Sequence, residues 1–185
     1  MKATFDPARE LERLARLYEL IERWLELHAE ALPLAAPTVS AWSAEQHIAH
    51  LALANELIAR NLKSLARKSG VLVVQGGEIA PAAQAVLASG VITRGLAQSP
   101  RMVRPPEAVE RELMLQWLRD GARELAVLDP LTLGASDAKI PHQLLGPLDA
   151  PQWARFAHIH TRHHLVIARE ALLAHGCAVP ELDPP

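Results

Sequence analysis

The sequence predicts an all-α protein, a four-helix bundle with long crossover connections, formed by a single domain over residues 1–185. Half of the residues are hydrophobic, and they recur at helical spacing in four long segments. A chain of 185 residues can bury one sizeable core but is short for two. Four amphipathic helices of this length bury their apolar faces most simply against one another.

The first two helices have strong start signals. The four helices are expected at about residues 6–32, 43–68, 105–128 and 150–175. Asp6 is a good N-cap, and Pro7 occupies a first-turn position where its missing N–H costs nothing. Ser43 and Gln46 have the spacing of a capping box, so the second helix is expected to begin there.

The third and fourth helices follow Pro-containing starts. Pro105-Pro106 is expected to open the third helix, since proline is favoured in the first turn. Asp149 offers an N-cap for the fourth, with Gln152 at the third helical position. Glycines and prolines punctuate the connections at 69–104 and 129–148. Only residues 79–89 of these connections have the pattern of a further helix, and no segment is a convincing strand.

Composition and charge exclude several functions. Nineteen basic and 21 acidic residues give a net charge of −2, so we expect no nucleic-acid partner. The longest uncharged apolar stretch, at 79–93, is shorter than a bilayer span, so no membrane partner is expected. The charged N-terminal segment does not resemble a secretory signal. Cys177, the single cysteine, excludes an internal disulfide and a cysteine-based zinc cluster. We therefore expect a cytoplasmic protein.

The segment "HIHTRHH" contains four of the nine histidines of the chain. On a helix, His160 and His164 differ by about 40° and share the apolar face with Trp153. His158 lies about 160° away from His160, on the opposite side, and His163 lies at about 60°, on the shoulder. Two imidazoles one turn apart are spaced to bind one transition-metal ion. A buried pair without a metal is the alternative, but it needs other hydrogen-bond partners.

The second helix carries a third inward histidine. His50 lies on the apolar stripe with Leu57, so it can meet His160 and His164 if the two helices pack together. Three neutral imidazoles leave coordination positions open on a metal, which suits catalysis. His47, one turn earlier, is either a fourth ligand or a residue that packs beside or supports a ligand, and we favour the latter.

Two blocks of sequence resemble a known family. "WSAEQHIAHL" at 42–51 and "PHQLLGPLDAPQWARFAHIHTRHHL" at 141–165 are similar to the DinB-like, or YfiT-like, metal-binding superfamily. The resemblance implies an up-up-down-down four-helix bundle, often a homodimer, that binds nickel, zinc or a similar divalent ion through His50, His160 and His164. The chain departs from the family at 165–167, where Leu-Val-Ile replaces the usual polar residues.

The resemblance and the site suggest a metal-dependent enzyme with a small-molecule substrate. Relatives include enzymes that use a low-molecular-weight thiol as cosubstrate and others described as metal-dependent hydrolases. A metal lowers the pKa of a bound thiol or water. The helices offer no inward carboxylate as a base, so we favour thiol transfer over hydrolysis. Glu78, Asp129 and Asp137 in the connections, or His163, could supply a base. A non-catalytic metal-binding or interaction bundle is the third hypothesis.

Overall fold

The computed structural model describes residues 4–95 and 98–184. Its helices are α1 (Pro7–Leu27), α2 (Ala44–Ala66), α3 (Pro81–Ser89), a short 3-10 helix (Arg101–Val103), α4 (Arg111–Ala126), α5 (Pro130–Gly134) and α6 (Ala150–Ala174). Its strands are β1 (Val74–Gln75), β2 (Ala138–His142) and β3 (Gly146–Leu148). The predicted all-α bundle is confirmed, with α1, α2, α4 and α6 as its long helices.

Three of the four predicted helix starts are confirmed, and each rests on a side-chain cap. The Asp6 carboxylate accepts a hydrogen bond from the Ala8 N–H at the start of α1. Ser43 with Gln46 at α2, and Asp149 with Gln152 at α6, both form complete capping boxes. Because these caps need only residues within one turn, they are readable from sequence.

The predicted start of the third helix at Pro105 was wrong, because α4 begins at Arg111. Arg104, which precedes a proline, has extended backbone, as steric contact with a following proline requires. The side-chain amide of Gln46 donates to the carbonyls of Pro106 and Glu107. Those carbonyls are bound to the head of α2, so this stretch forms a connection instead of a first helical turn.

The connections also contain strands that the sequence pattern did not indicate. β1, β2 and β3 form a small antiparallel sheet in that order, with Val74 opposite Lys139 and Ile140 opposite Leu148. The strands are two to five residues long and include Pro141 and Pro147, so they are too short for a clear alternation. The predicted additional helix at 79–89 is confirmed as α3.

Helix α6 lies between α1 and α2, and α2 lies between α6 and α4. Among the long helices, α1, α2 and α4 supply the largest fully buried side chains, which include Leu14, Ile21, Trp24, Ile48, Leu51, Leu62 and Met114. The first half of α2 therefore faces the middle of α6, and α3 and the β2–β3 hairpin flank this contact. No described helix is both long and apolar enough to span a bilayer.

Candidate metal centre

The contact between α2 and α6 brings His50, His160 and His164 together. One ring nitrogen from each lies within 4.8 Å of the others. The Nε2 atoms of His50 and His160 are 3.3 Å apart, and the ring centroids of His50 and His164 are 4.4 Å apart. The three histidines that helical spacing placed on inward faces therefore meet at one point.

A backbone carbonyl fixes the orientation of His50. Its Nδ1–H donates to the Val103 carbonyl oxygen at 2.7 Å, since a carbonyl can only accept. A neutral imidazole that donates from Nδ1 keeps a lone pair on Nε2, and this is the atom that faces His160. Metal-binding histidines commonly have their second nitrogen held in this way. No sequence pattern indicated Val103, because the contact joins the 3-10 helix to α2 across 53 positions.

A chain of hydrogen bonds fixes His164. Its Nδ1 lies 2.9 Å from Nδ1 of His47, and the His47 Nε2 lies 3.0 Å from the Ser40 hydroxyl. Two proton arrangements satisfy these contacts, and the one that suits metal binding has His164 donate from Nδ1 to His47 and His47 donate from Nε2 to Ser40. The lone pair of His164 is then on Nε2. His47 thus contacts a member of the cluster and is not among the three histidines that converge, and its supporting role stays a prediction.

The third member, His160, is held by packing. Its ring stacks on Phe156 with centroids 5.1 Å apart, and its Nδ1 is a buried atom without a hydrogen-bond partner. Burial lowers the pKa of His160 and of His164 well below the usual value of 6.5, and also lowers the pKa of His50. The cluster is therefore neutral at pH 7 and presents lone pairs without a counterion.

The donor set fits a divalent transition metal. Metal–nitrogen bonds of about 2.0–2.1 Å in tetrahedral geometry place two ligand nitrogens about 3.3–3.4 Å apart. The His50–His160 nitrogen separation of 3.3 Å matches this value. Three neutral imidazoles suit zinc, nickel, copper or iron(II), and they leave at least one coordination position open for an exogenous ligand.

A sequence profile of the DinB superfamily matches residues 9–168. The chain belongs to the DinB superfamily. The resemblance inferred from the histidine motifs is thus confirmed, and the matched range includes all four long helices apart from the ends of α1 and α6. No curated protein and no solved structure matches the chain.

The cluster of this DinB-superfamily protein lies in the wall of a cavity of about 390 Å³. Most of the remaining wall is apolar and comes from α2, α3, α6 and the segments between them; it includes Leu57, Ile58, Val86, Leu145, Trp153 and Phe156. Trp153, which shares the face of His160, thus lines the cavity as its position on the helix suggested. A site of this size and character suits a small, largely apolar molecule.

The carboxylates considered as bases do not reach the cavity. Its described lining residues include no Asp or Glu. Asp129 caps α5, Asp137 pairs with Lys68, and Glu78 is exposed. His163 does line the cavity from the shoulder of α6, and burial lowers its pKa to about 4.

Two further histidines lie close to the three-histidine cluster: His158 is near it in sequence, and His142 is near it in space. His158 faces away, as predicted, and its Nδ1 lies 3.0 Å from the Glu10 carboxylate between α6 and α1. His142, at the end of β2, lines the cavity, although no role was predicted for it from the sequence. The only available signal was its place in the "P-H-x-x-x-G" approach to α6, which does not reveal what its ring contacts.

Proposed function

We propose that the protein binds one divalent metal ion, nickel or zinc, through His50, His160 and His164, and transfers a low-molecular-weight thiol to a small electrophile. The observation that carries the proposal is the convergence of three neutral imidazoles in the wall of an apolar cavity. A metal held by these three residues would lie at the wall of the cavity in which a substrate would be held.

A bound divalent ion supplies Lewis acidity, which lowers the pKa of a thiol or water to near neutrality. The chain supplies orientation and exclusion of water. Val103 holds His50, and the His47–Ser40 pair holds His164, so two donors are preorganised before the ion arrives. The apolar wall formed by Leu57, Val86 and Phe156 removes water from the reacting groups.

The absence of a carboxylate among the described lining residues favours a thiol over water as the nucleophile. Hydrolysis commonly needs a protein base to take a proton from the attacking water. A thiol starts from a pKa of about 8.5, so metal coordination suffices to ionise it. His163 is a weak base because its pKa lies near 4, which makes hydrolysis the second candidate.

An electrophile panel tests the proposed activity. Metal-loaded protein is incubated with an aryl halide, an epoxide, an enone and an ester, with and without glutathione, bacillithiol or mycothiol. We expect turnover of at least one electrophile that depends on a thiol and is lost in His160→Ala. His175→Ala changes an exposed histidine beyond α6 and serves as the control.

The remaining outcomes identify the competing functions. Turnover that ignores the thiol refutes the transferase and assigns a metal-dependent hydrolase. Metal binding without turnover of any compound, combined with a His160→Ala variant that changes only thermal stability, assigns a non-catalytic metal-binding or interaction bundle.

We further propose that the protein acts in the cytoplasm as a homodimer, with a small-molecule substrate and without nucleic-acid or membrane partners. A single, unpaired cysteine and a net charge of −2 support this setting. Sedimentation equilibrium of the metal-loaded protein tests the dimer: a mass near twice 20.2 kDa is expected, and a monomer at micromolar concentration contradicts it.

A further inference from the structure

His142 has a fixed tautomer, because its own turn uses one ring nitrogen. The backbone N–H groups of Leu144 and Leu145 both donate to Nδ1 of His142, each at 3.2 Å. A backbone N–H can only donate, so Nδ1 must present a lone pair. The neutral ring therefore carries its hydrogen on Nε2.

The ring is neutral near pH 7, since burial lowers the pKa of His142 to about 4. Among the described residues, Nε2 of His142 has no hydrogen-bond partner. The β2–β3 turn thus holds an imidazole with one nitrogen occupied and the other available as a donor in a known orientation.

The surroundings of this donor are aromatic. The ring centroid of His142 lies 4.6 Å from Phe156 and 5.5 Å from Trp153, and all three rings line the cavity that also contains the metal cluster. An N–H group in a mostly apolar wall loses free energy when a ligand displaces water without offering an acceptor. The donor therefore selects among apolar ligands of similar shape.

We propose that His142 is a specificity-determining residue that donates its Nε2–H to a carbonyl-type oxygen of an aromatic substrate in this cavity. Trp153 and Phe156 contact the apolar body of the substrate, and His142 binds its oxygen through a hydrogen bond. This inference rests on the proposed function only in treating the cavity as the substrate site. It requires neither a particular metal nor thiol transfer.

Two probes of equal shape test the hydrogen bond. Acetophenone has a carbonyl oxygen where α-methylstyrene has a methylene group. Their affinities for the metal-loaded protein are measured by ligand-observed NMR titration, and again after chelation of the metal. We expect acetophenone to bind about three- to tenfold more tightly than α-methylstyrene in both states. A preference that disappears on chelation assigns the oxygen to the metal and overturns the proposal.

Two substitutions separate the donor from the turn. His142→Asn keeps a side-chain acceptor for the N–H groups of Leu144 and Leu145 but lacks the Nε2–H, so the two probes should bind within about twofold of each other. His142→Gln has an amide donor that reaches farther and should restore part of the preference. His175→Asn makes the same chemical change at an exposed position and should leave both affinities unchanged.

Several results would overturn the role of His142: equal binding of the probes to the unchanged protein, binding of neither, a preference that survives in His142→Asn, or an equal loss of both affinities there. Failure of the proposed function is recognised separately. It appears as a missing metal ion or missing thiol-dependent turnover while the preference for acetophenone persists.

Discussion

The two sides of α6 bury histidines in opposite ways. On the side facing α1, His158 contacts Glu10 at 3.0 Å, and Arg155 lies 3.4 Å from the same carboxylate. The exposed fractions of these three residues are only 4 to 6%. On the side facing α2, His160 and His164 meet His50 without a carboxylate in the cluster. Helix α6 thus contributes to an ionic cluster with Glu10 on one side and, within the described part of the chain, to a cluster of neutral histidines without a charged partner on the other.

The charges explain the difference. Burial tends to raise the pKa of Glu10, but the hydrogen bond from His158 and the charge of Arg155 outweigh it, so the pKa is lowered. In the metal cluster, burial acts on groups that lack a negative partner and lowers the pKa of each histidine. On the side facing α1, the charge of Glu10 is balanced by Arg155 and His158. On the side facing α2, the three histidines have lone pairs and no charged partner among the residues described, so a bound cation would stabilise them. Histidines of one run therefore have different surroundings, because different helices face them.

The largest expected contrast is in pH dependence. In metal-free protein, His47, His160 and His164 stay neutral in the folded state, while the unfolded chain takes up protons below a pKa of 6.5. The unfolded state then binds more protons, so the free energy of unfolding falls as the pH drops below 6.5. For His47, whose pKa in the folded protein is about 3, this amounts to about 2 kcal/mol between pH 7 and 5, and His160 and His164 act in the same direction.

Glu10 responds in a different range. Its lowered pKa gives stability that is present above the usual value of 4.5 and is lost only as the pH falls below it. Urea unfolding of chelated protein at pH 7, 6, 5 and 4 measures both ranges. A free energy of unfolding that is constant between pH 7 and 5 contradicts the assignment of neutral histidines to the cluster.

Removing Glu10 should produce the next largest effect. Glu10→Ala leaves the buried guanidinium of Arg155 without its counterion, and we expect a loss of about 3 to 4 kcal/mol in the free energy of unfolding. Metal affinity should stay within about twofold of the unchanged protein, because Glu10 lies on the other side of α6. Urea unfolding and a metal titration measure the two quantities.

Glu12 provides the matched control in the same helix. It pairs with Arg16 at 2.6 Å, but both side chains are about two-thirds exposed. Glu12→Ala should therefore cost no more than about 0.5 kcal/mol. If Glu10→Ala is equally mild, or if it abolishes metal binding in protein that remains folded, the two sides of α6 are not independent.

The smallest effect concerns the support of His164. His47→Ala removes the acceptor of the Nδ1–H of His164 and should weaken metal binding by about 10- to 100-fold while all three ligands remain. Competition with a chromogenic chelator measures the affinity, and His175→Ala is the control. An unchanged affinity in His47→Ala would mean that packing alone orients His164.

The sequence predicted the parts of the molecule that depend on local periodicity. Helical spacing was sufficient to place His50, His160 and His164 on inward faces, and the Asp6, Ser43 and Asp149 caps follow from residues within one turn. The resemblance to the DinB superfamily selected the same three histidines without using helical spacing, and the profile match over residues 9–168 confirmed that resemblance. This agreement explains why the cluster was predictable before its geometry was known.

The remaining features depend on partners distant in the chain. The contact of His158 with Glu10 joins positions 148 apart, and no periodic pattern specifies it. The prolines at 105 and 106 favoured a helix start, but the carbonyls of Pro106 and Glu107 instead accept hydrogen bonds from the side chain of Gln46. His142 acquires its tautomer from the three-residue turn at 143–145 between two short strands, so its role emerges only when the turn and the cavity are seen together.

The metal content of the purified protein decides whether His50, His160 and His164 form a metal site. Untagged protein, purified without contact with an affinity metal, is analysed by mass spectrometry of its metals alongside His160→Ala and His158→Gln. We predict about one divalent ion per folded chain in the unchanged protein and in His158→Gln, and almost none in His160→Ala. Folded protein that lacks a divalent ion even after incubation with nickel or zinc, or a His160→Ala variant that retains one, would contradict the account.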